Sequence, residues 1–145
     1  MHWVRVGLEL YVSRLVHYVQ FNLMEIPELK NVSALTKDQI KEKEGALIMK
    51  NLKTSDDVIL LDEHGRQYSS MEFARLIEDK MSRSGKDIVF VIGGAYGFSK
   101  EVYDRSNGLI SLSKMTFSHQ MVRTIFTEQL YRAFTIIKGE PYHHE

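Results

Sequence analysis

The sequence predicts an α/β fold with a mostly parallel sheet and helices on both of its faces. Three observations predict it. Short apolar runs that read as strands, Val58-Ile59-Leu60-Leu61, Asp87 to Ile92 and Leu109 to Leu112, alternate with longer segments of helical periodicity. Those runs are apolar on nearly every residue, the pattern of strands buried on both faces. A glycine cluster, Gly93-Gly94-Ala95-Tyr96-Gly97, follows directly on the second run before Ser99 opens a polar helix. That is where α/β proteins bring bare backbone close to a small ligand.

The elements follow in order. Val4, Leu8, Tyr11, Leu15 and Val19 recur at helical spacing, so the chain opens with an amphipathic helix. Val19, Phe21 and Leu23 alternate, Met24 and Ile26 follow, and Pro27 ends what reads as a strand. Residues 28–35 read as loop. Thr36-Lys37-Asp38-Gln39 is a capping-box pattern that opens a helix to about Leu52. Val58 to Leu61 is a buried strand, and Asp62-Glu63-His64-Gly65 turns the chain. Ser69 to Glu72 is a second capping box, whose helix runs to about Met81. A strand over 87–92, a short helix after Ser99, a strand over 109–112 and a helix over 119–137 complete the set. With no repeats, low-complexity tracts or Pro/Ser-rich linkers, residues 1–145 read as one domain.

The chain has 145 residues, 43% of them hydrophobic and 26% charged, which is enough to bury a sizeable core. No apolar run approaches the ~20 residues of a membrane span, and the start lacks a charged-then-apolar signal pattern. The absence of cysteine excludes disulfides, thiolate nucleophiles and cysteine metal sites, and suits a cytosolic protein. Nineteen basic and nineteen acidic residues balance to zero net charge, which argues against coating nucleic acid by bulk charge. RNA remains a possible substrate through a local basic face, or through the combined faces of two subunits.

Ligands in parallel sheets sit at the carboxyl ends of strands. Here those ends are Leu61-Asp62, Gly93-Gly94 and Ser113-Lys114, expected to converge on one side of the sheet. The spacing Gly-Gly-x-x-Gly is not the Gly-x-Gly-x-x-Gly of dinucleotide folds, and a tight turn with positive φ explains it by itself. Leu61 reads as core. Asp62 either caps a turn or binds a ribose hydroxyl. The loop from Ser113 to Ser118 alternates hydroxyls with apolar Met115 and Phe117, the walls and donors an adenine ring needs. His119 and Arg123 lie four apart on one helix face, as do Glu128 and Arg132. The latter two form either a helix salt bridge or, through Arg132, a phosphate contact. The short polar tail Pro141-Tyr142-His143-His144 has no legible core role. Its two adjacent histidines lack a nearby third ligand, which argues against a metal.

In this order and at this spacing, the glycine loop, the run Leu112-Ser113-Lys114-Met115-Thr116-Phe117-Ser118-His119-Gln120-Met121-Val122-Arg123, the run Glu128 to Phe134 and the ending Pro141-Tyr142-His143-His144-Glu145 resemble the SPOUT (α/β-knot) methyltransferases of the RlmH type. The resemblance covers nearly the whole chain and is most specific from Val58 onward. It implies a cytoplasmic homodimer, with no membrane association and with a C-terminal trefoil knot. It also implies an S-adenosylmethionine-dependent enzyme that methylates N3 of a pseudouridine in 23S ribosomal RNA of assembled ribosomes.

In that reading Leu61, Gly94, Ser113, Lys114, Met115, Thr116, Phe117 and Ser118 bind the cofactor. Lys114 and Ser118 stand where some relatives carry Ala and Pro, which tunes the site. His119 and Arg123 face RNA. Tyr142 and His143 reach the partner subunit's cofactor site, to hold or deprotonate the target base. The last helix agrees with a dimer, since Met121, Val122, Ile125, Phe126, Leu130, Phe134 and Ile137 exceed one buried stripe. Relatives begin with a β-strand and a Val-Gly-Lys-like turn, whereas this sequence opens at the helix with Met1-His2-Trp3, so a sheet lacking that strand is expected. The alternative is a catalytically inactive ribosome- or RNA-binding protein of the same fold. An unrelated nucleotide-binding enzyme would need a Gly-Lys-Ser/Thr phosphate loop, which the sequence lacks.

Overall fold

A computed structural model describes residues 2–144. The elements are α1 (His2–Leu15), a 3-10 turn (Val32–Ala34), α2 (Lys37–Lys50), β1 (Asp57–Gln67), α3 (Ser70–Arg83), β2 (Ile88–Ile92), α4 (Lys100–Arg105), β3 (Gly108–Ser111) and α5 (His119–Ile137). They form two compact units. One spans Met24–Arg66 and Lys86–Ser111; the other holds the residues up to Leu23, Gln67–Gly85 and the chain from Leu112 onward.

The first unit carries a three-stranded parallel sheet in the order β2-β1-β3. β1 and β2 pair in register from Asp57 with Ile88 to Leu61 with Ile92. Val58, Ile59 and Leu60 are 0, 2 and 0% exposed in succession, so neither face of the central strand meets water, as its unbroken apolar pattern requires. Val58, Leu60 and Val91 pack with Ile48 of α2, with Phe98 just before α4 and with Val102 of α4 into one core cluster. The Asn107 side chain ties the start of β3 to β1 by accepting from the Val58 N–H (2.8 Å), while the Asn107 N–H donates back to the Val58 carbonyl (2.7 Å).

The second unit is helical. α5 packs against α1 and α3, burying Val4, Leu8 and Leu15 of α1, Phe73, Ala74 and Ile77 of α3, and Phe126, Leu130, Ala133 and Phe134 of its own. Phe73 and Phe126 meet edge to face at 5.9 Å. The Thr124 hydroxyl donates to the Val4 carbonyl (3.1 Å), and the Ser70 hydroxyl to Gln129 (2.9 Å).

Local chemistry sets the helix starts. Both capping boxes form in full, Thr36 with Gln39 and Ser69 with Glu72, while Ser99 caps α4 and Ser118 caps α5. Two expectations fail. The alternating run from Val19 to Pro27 is irregular rather than a strand. Leu23 and Met24 stay 45 and 66% exposed, so the alternation had no buried face to create; Ile26 alone of the run packs on the core cluster. The residues Asp62 to Gly65 do not end the strand either, because β1 stays extended as far as Gln67 after its last pairing with β2 at Leu61.

Candidate functional site

In the sheet unit, Leu61 is half-buried where β1 parts from β2, and the glycine loop leaves β2 one residue after Ile92. The loop closes on itself: the Gly97 N–H donates to the Gly94 carbonyl (3.2 Å). Only Gly97 uses the left-handed backbone, at φ 84°, so the positive-φ explanation applies to that residue alone. Gly94 stands against the carboxylate of Glu44. A Cβ there would lie 2.5 Å from Oε2 and 3.0 Å from Oε1 of Glu44 on α2. The same helix sends Lys37 over the ring of Tyr96, 5.6 Å from its centre. It also brings Gly45 against Ser99, the residue that ends the loop and caps α4. α2 therefore braces the glycine loop along its length.

Asp62 is bonded within the sheet unit. Its Oδ1 accepts from the His64 N–H (2.8 Å), and its Oδ2 accepts from the Tyr103 hydroxyl. Burial first, and then the bond to Asp62, pushes the Tyr103 phenol up to about 12.

In the helical unit, residues 113–118 join β3 to α5. The Ser113 hydroxyl accepts from the Met115 N–H (3.0 Å), and the Ser118 hydroxyl accepts from the Met121 N–H (3.3 Å). These two serines hold the ends of the loop. Lys114, Met115, Thr116 and Phe117 between them are exposed, Met115 at 76% and Phe117 at 38%. His119 is exposed at the first position of α5, and Arg123, one turn on, is half-buried.

The tail is bonded to α5 through a polar network. Glu128 Oε1 accepts from Arg132 Nη2 (2.7 Å), from Arg132 Nε (3.2 Å) and from the Tyr142 hydroxyl (3.0 Å). Its Oε2 accepts from Gln129 (3.1 Å). Arg132 lies over the Tyr142 ring, 4.7 Å from its centre, and its Nη1 is 3.1 Å from His143 Nδ1. Tyr142 meets Tyr131 edge to face at 4.9 Å, and Tyr131 in turn contacts Tyr11 and Tyr18. Burial, then hydrogen bonding with Tyr11 and Glu128, raises the Tyr142 phenol well above its ordinary range; the bond to Glu128 raises Arg132. Glu128 and Arg132, with side chains 17 and 24% exposed, form a largely buried pair rather than a loose surface bridge.

The expected site residues thus fall into two groups. Leu61 and Gly94 stand together in the sheet unit; Ser113 to Ser118, His119, Arg123, Tyr142 and His143 stand in the helical unit. The tail does carry a packing role, contrary to its polar appearance. Sequence reasoning missed Glu44, Tyr131 and Tyr11. Glu44 and Gly45 sit mid-helix among Lys and Glu residues with no local signal, whereas the tyrosines at 11, 18 and 131 were visible as residues without a common address.

A family model described as "Predicted SPOUT methyltransferase" matches residues 1–143. The chain is 57% identical over 135 residues to the ribosomal RNA large subunit methyltransferase H of Bacteroides fragilis, covering 93% of this chain and 86% of that protein. It is 56% identical over 137 residues to the protein of the same name from Christiangramia forsetii (94% and 87% covered). With that of Flavobacterium johnsoniae it shares 53% over 135 residues (93% and 86%).

Proposed function

We propose that this chain, which belongs to the SPOUT methyltransferase family, transfers a methyl group from S-adenosylmethionine to N3 of a pseudouridine in large-subunit ribosomal RNA. The relatives' shared name supports the RNA class. Within this reading the enzyme is cytoplasmic, works as a homodimer and carries the family's knot. Among the described residues no helix is long and apolar enough to cross a membrane.

The residues present fit the cofactor. Met115 and Phe117 are exposed apolar side chains flanked by hydroxyls, on a loop whose two ends are fixed by Ser113 and Ser118. This loop is the observation that carries the reading, because it offers an adenine both walls and an edge. Gly94 and Leu61, in the sheet unit, complete the cofactor-binding set of this reading. Glu44, against Gly94, adds a carboxylate suited to a cationic ligand. Bound S-adenosylmethionine supplies an electrophilic methyl group on a positively charged sulfur.

The protein's own task is alignment. His119 and Arg123 engage the RNA at the start of α5, Arg123 through phosphate. His143 holds the uracil ring so that N3, once it has released its proton, faces the methyl carbon. The Tyr142 hydroxyl is already engaged by Glu128. Its contribution is to stiffen the tail, and contact with the uracil edge passes to His143.

The test is methyl transfer from labelled S-adenosylmethionine to ribosomes purified from cells lacking this gene, with mass spectrometry of the RNA. Zero net charge leaves little to hold naked RNA. Methylation on assembled ribosomes should therefore be strong, and on free ribosomal RNA weak. Equal rates on both would overturn the substrate assignment, and no transfer to either would overturn the function.

A further inference from the structure

We propose that the Glu128–Arg132 pair fixes His143 in a single tautomer, with its proton on Nε2, so that His143 serves the reaction as a hydrogen-bond donor and not as the base. The proposal rests on the methyl-transfer reading above, but its first test does not. Arg132 Nη1 lies 3.1 Å from His143 Nδ1. A guanidinium has five donors and no acceptor, and it stays charged throughout the pH range in which proteins fold. In this contact the arginine donates and Nδ1 accepts. An imidazole that accepts at Nδ1 is neutral and carries its hydrogen on Nε2.

The rest of the network makes the assignment one-directional. Glu128 takes the Nε and Nη2 edge of the guanidinium on Oε1, which leaves Nη1 directed at the tail. Oε1 also accepts from Tyr142, and Oε2 from Gln129, so both oxygens of Glu128 are occupied. Arg132 is held from its flat side as well, over the Tyr142 ring. Glu128 and Arg132 are positioning residues that act through His143.

The chemical consequence concerns the target base. When N3 of the uracil ring loses its proton, the negative charge spreads onto the two flanking carbonyl oxygens. An Nε2–H on a neutral ring stabilises that charge by donating to a carbonyl oxygen, as oxyanion-hole donors do. It cannot take up the N3 proton at Nε2, which already carries hydrogen, and that proton leaves to solvent. The N3 lone pair then forms the bond to the methyl carbon, and the carbon–sulfur bond breaks onto sulfur.

Two measurements test this. The first uses the free protein at neutral pH with 15N-labelled histidine, the His143 signals being assigned by their loss in His143→Gln. An acceptor-type Nδ1 and a protonated Nε2 in the wild type, giving way to mixed tautomers in Arg132→Met, is the expected result. An Nδ1–H tautomer in the wild type, or an unchanged pattern in Arg132→Met, overturns the proposal whatever the enzyme's substrate.

The second compares His143→Gln with His143→Ala in methyl transfer. Glutamine can present an amide oxygen to Arg132 and keeps an N–H donor, but it cannot act as a base. A donor role predicts that Gln retains activity to within about tenfold while Ala loses roughly 10²–10³-fold, the usual cost of one such donor. Gln as inactive as Ala refutes the donor role even if the tautomer is confirmed.

Discussion

Gly45 sits mid-helix in α2, where glycine is normally a defect, and replacing it with alanine sets two effects against each other. Alanine should favour the helix by roughly 0.8–1 kcal/mol. The new Cβ would, however, fall inside contact distance of the Ser99 hydroxyl, 3.2 Å from Ser99 Cβ and 3.3 Å from Val102 Cγ2. Ser99 is itself buried, and its hydroxyl accepts from the Val102 N–H (3.3 Å) to cap α4. Its side chain is too short to swing clear and keep that bond. Overpacking costs about 1–3 kcal/mol, and loss of the cap adds about 1 kcal/mol. Gly45→Ala should therefore destabilise by about 1–3 kcal/mol net, measured as a fall in the urea midpoint at unchanged slope. Because Ser99 also ends the glycine loop, S-adenosylmethionine affinity should fall with it. The double-mutant cycle identifies the cause. Ser99→Ala alone should cost about 1 kcal/mol; on the Gly45→Ala background it should cost nothing, or restore stability, because it removes the clashing atom. A Gly45→Ala variant as stable as the parent, or a Ser99→Ala cost equal in both backgrounds, would refute the reasoning.

Glu44→Gln should weaken S-adenosylmethionine binding about tenfold, roughly 1.4 kcal/mol, while leaving the neutral S-adenosylhomocysteine unaffected in calorimetry; equal losses for both ligands would remove charge as the cause. Tyr103, whose folded-state phenol is raised to about 12 against an ordinary value of 10, contributes stability that is present below pH 10 and lost as pH rises toward 12. Denaturation midpoints should decline across that window, and less steeply in Tyr103→Phe; parallel declines would show that other groups govern it. Deleting the tail from Pro141 should abolish methyl transfer and cost about 1–2 kcal/mol, since the Tyr142 ring contacts and its bond to Glu128 go with it. Thermal melting and a ribosome assay check both halves, and retained activity would remove the tail from the site.

What was legible in the sequence was local or periodic. The boxes at Thr36 and Ser69 name their own partners three residues on, so they read correctly without tertiary knowledge. The apolar run after Ser118 placed α5 at His119–Ile137. The failures arise where the outcome depends on a distant partner. Alternation from Val19 to Leu23 satisfies the period of a strand, but no neighbouring strand pairs with it. Turn-prone Asp62 and Gly65 lie within β1, where the Asp62 carboxylate is held by Tyr103, 41 residues away. In the candidate site, the glycines and the hydroxyl-rich loop stood out, whereas the neighbour of Gly94 did not. It is a side chain on another helix, Glu44, and glycine spacing carries no record of what stands opposite. The tail's packing role was not legible because its anchors, Glu128 and Arg132, also form an ordinary i,i+4 pair.

That double service gives α5 an unusual burden. Phe126, Leu130, Ala133 and Phe134 bury one side of the helix, while Glu128, Tyr131 and Arg132 on another side grip the tail. The tail has no anchor of its own in the core, so it inherits whatever azimuth the buried side imposes on the helix. A repacking event at Phe73 or Phe126, harmless by any measure of folding, would turn the helix slightly and swing His143 with it. Neutral drift in this family is then constrained from inside: interior positions that never approach RNA are still filtered by the chemistry at the chain's end, and variants that lose turnover without losing stability should be sought there.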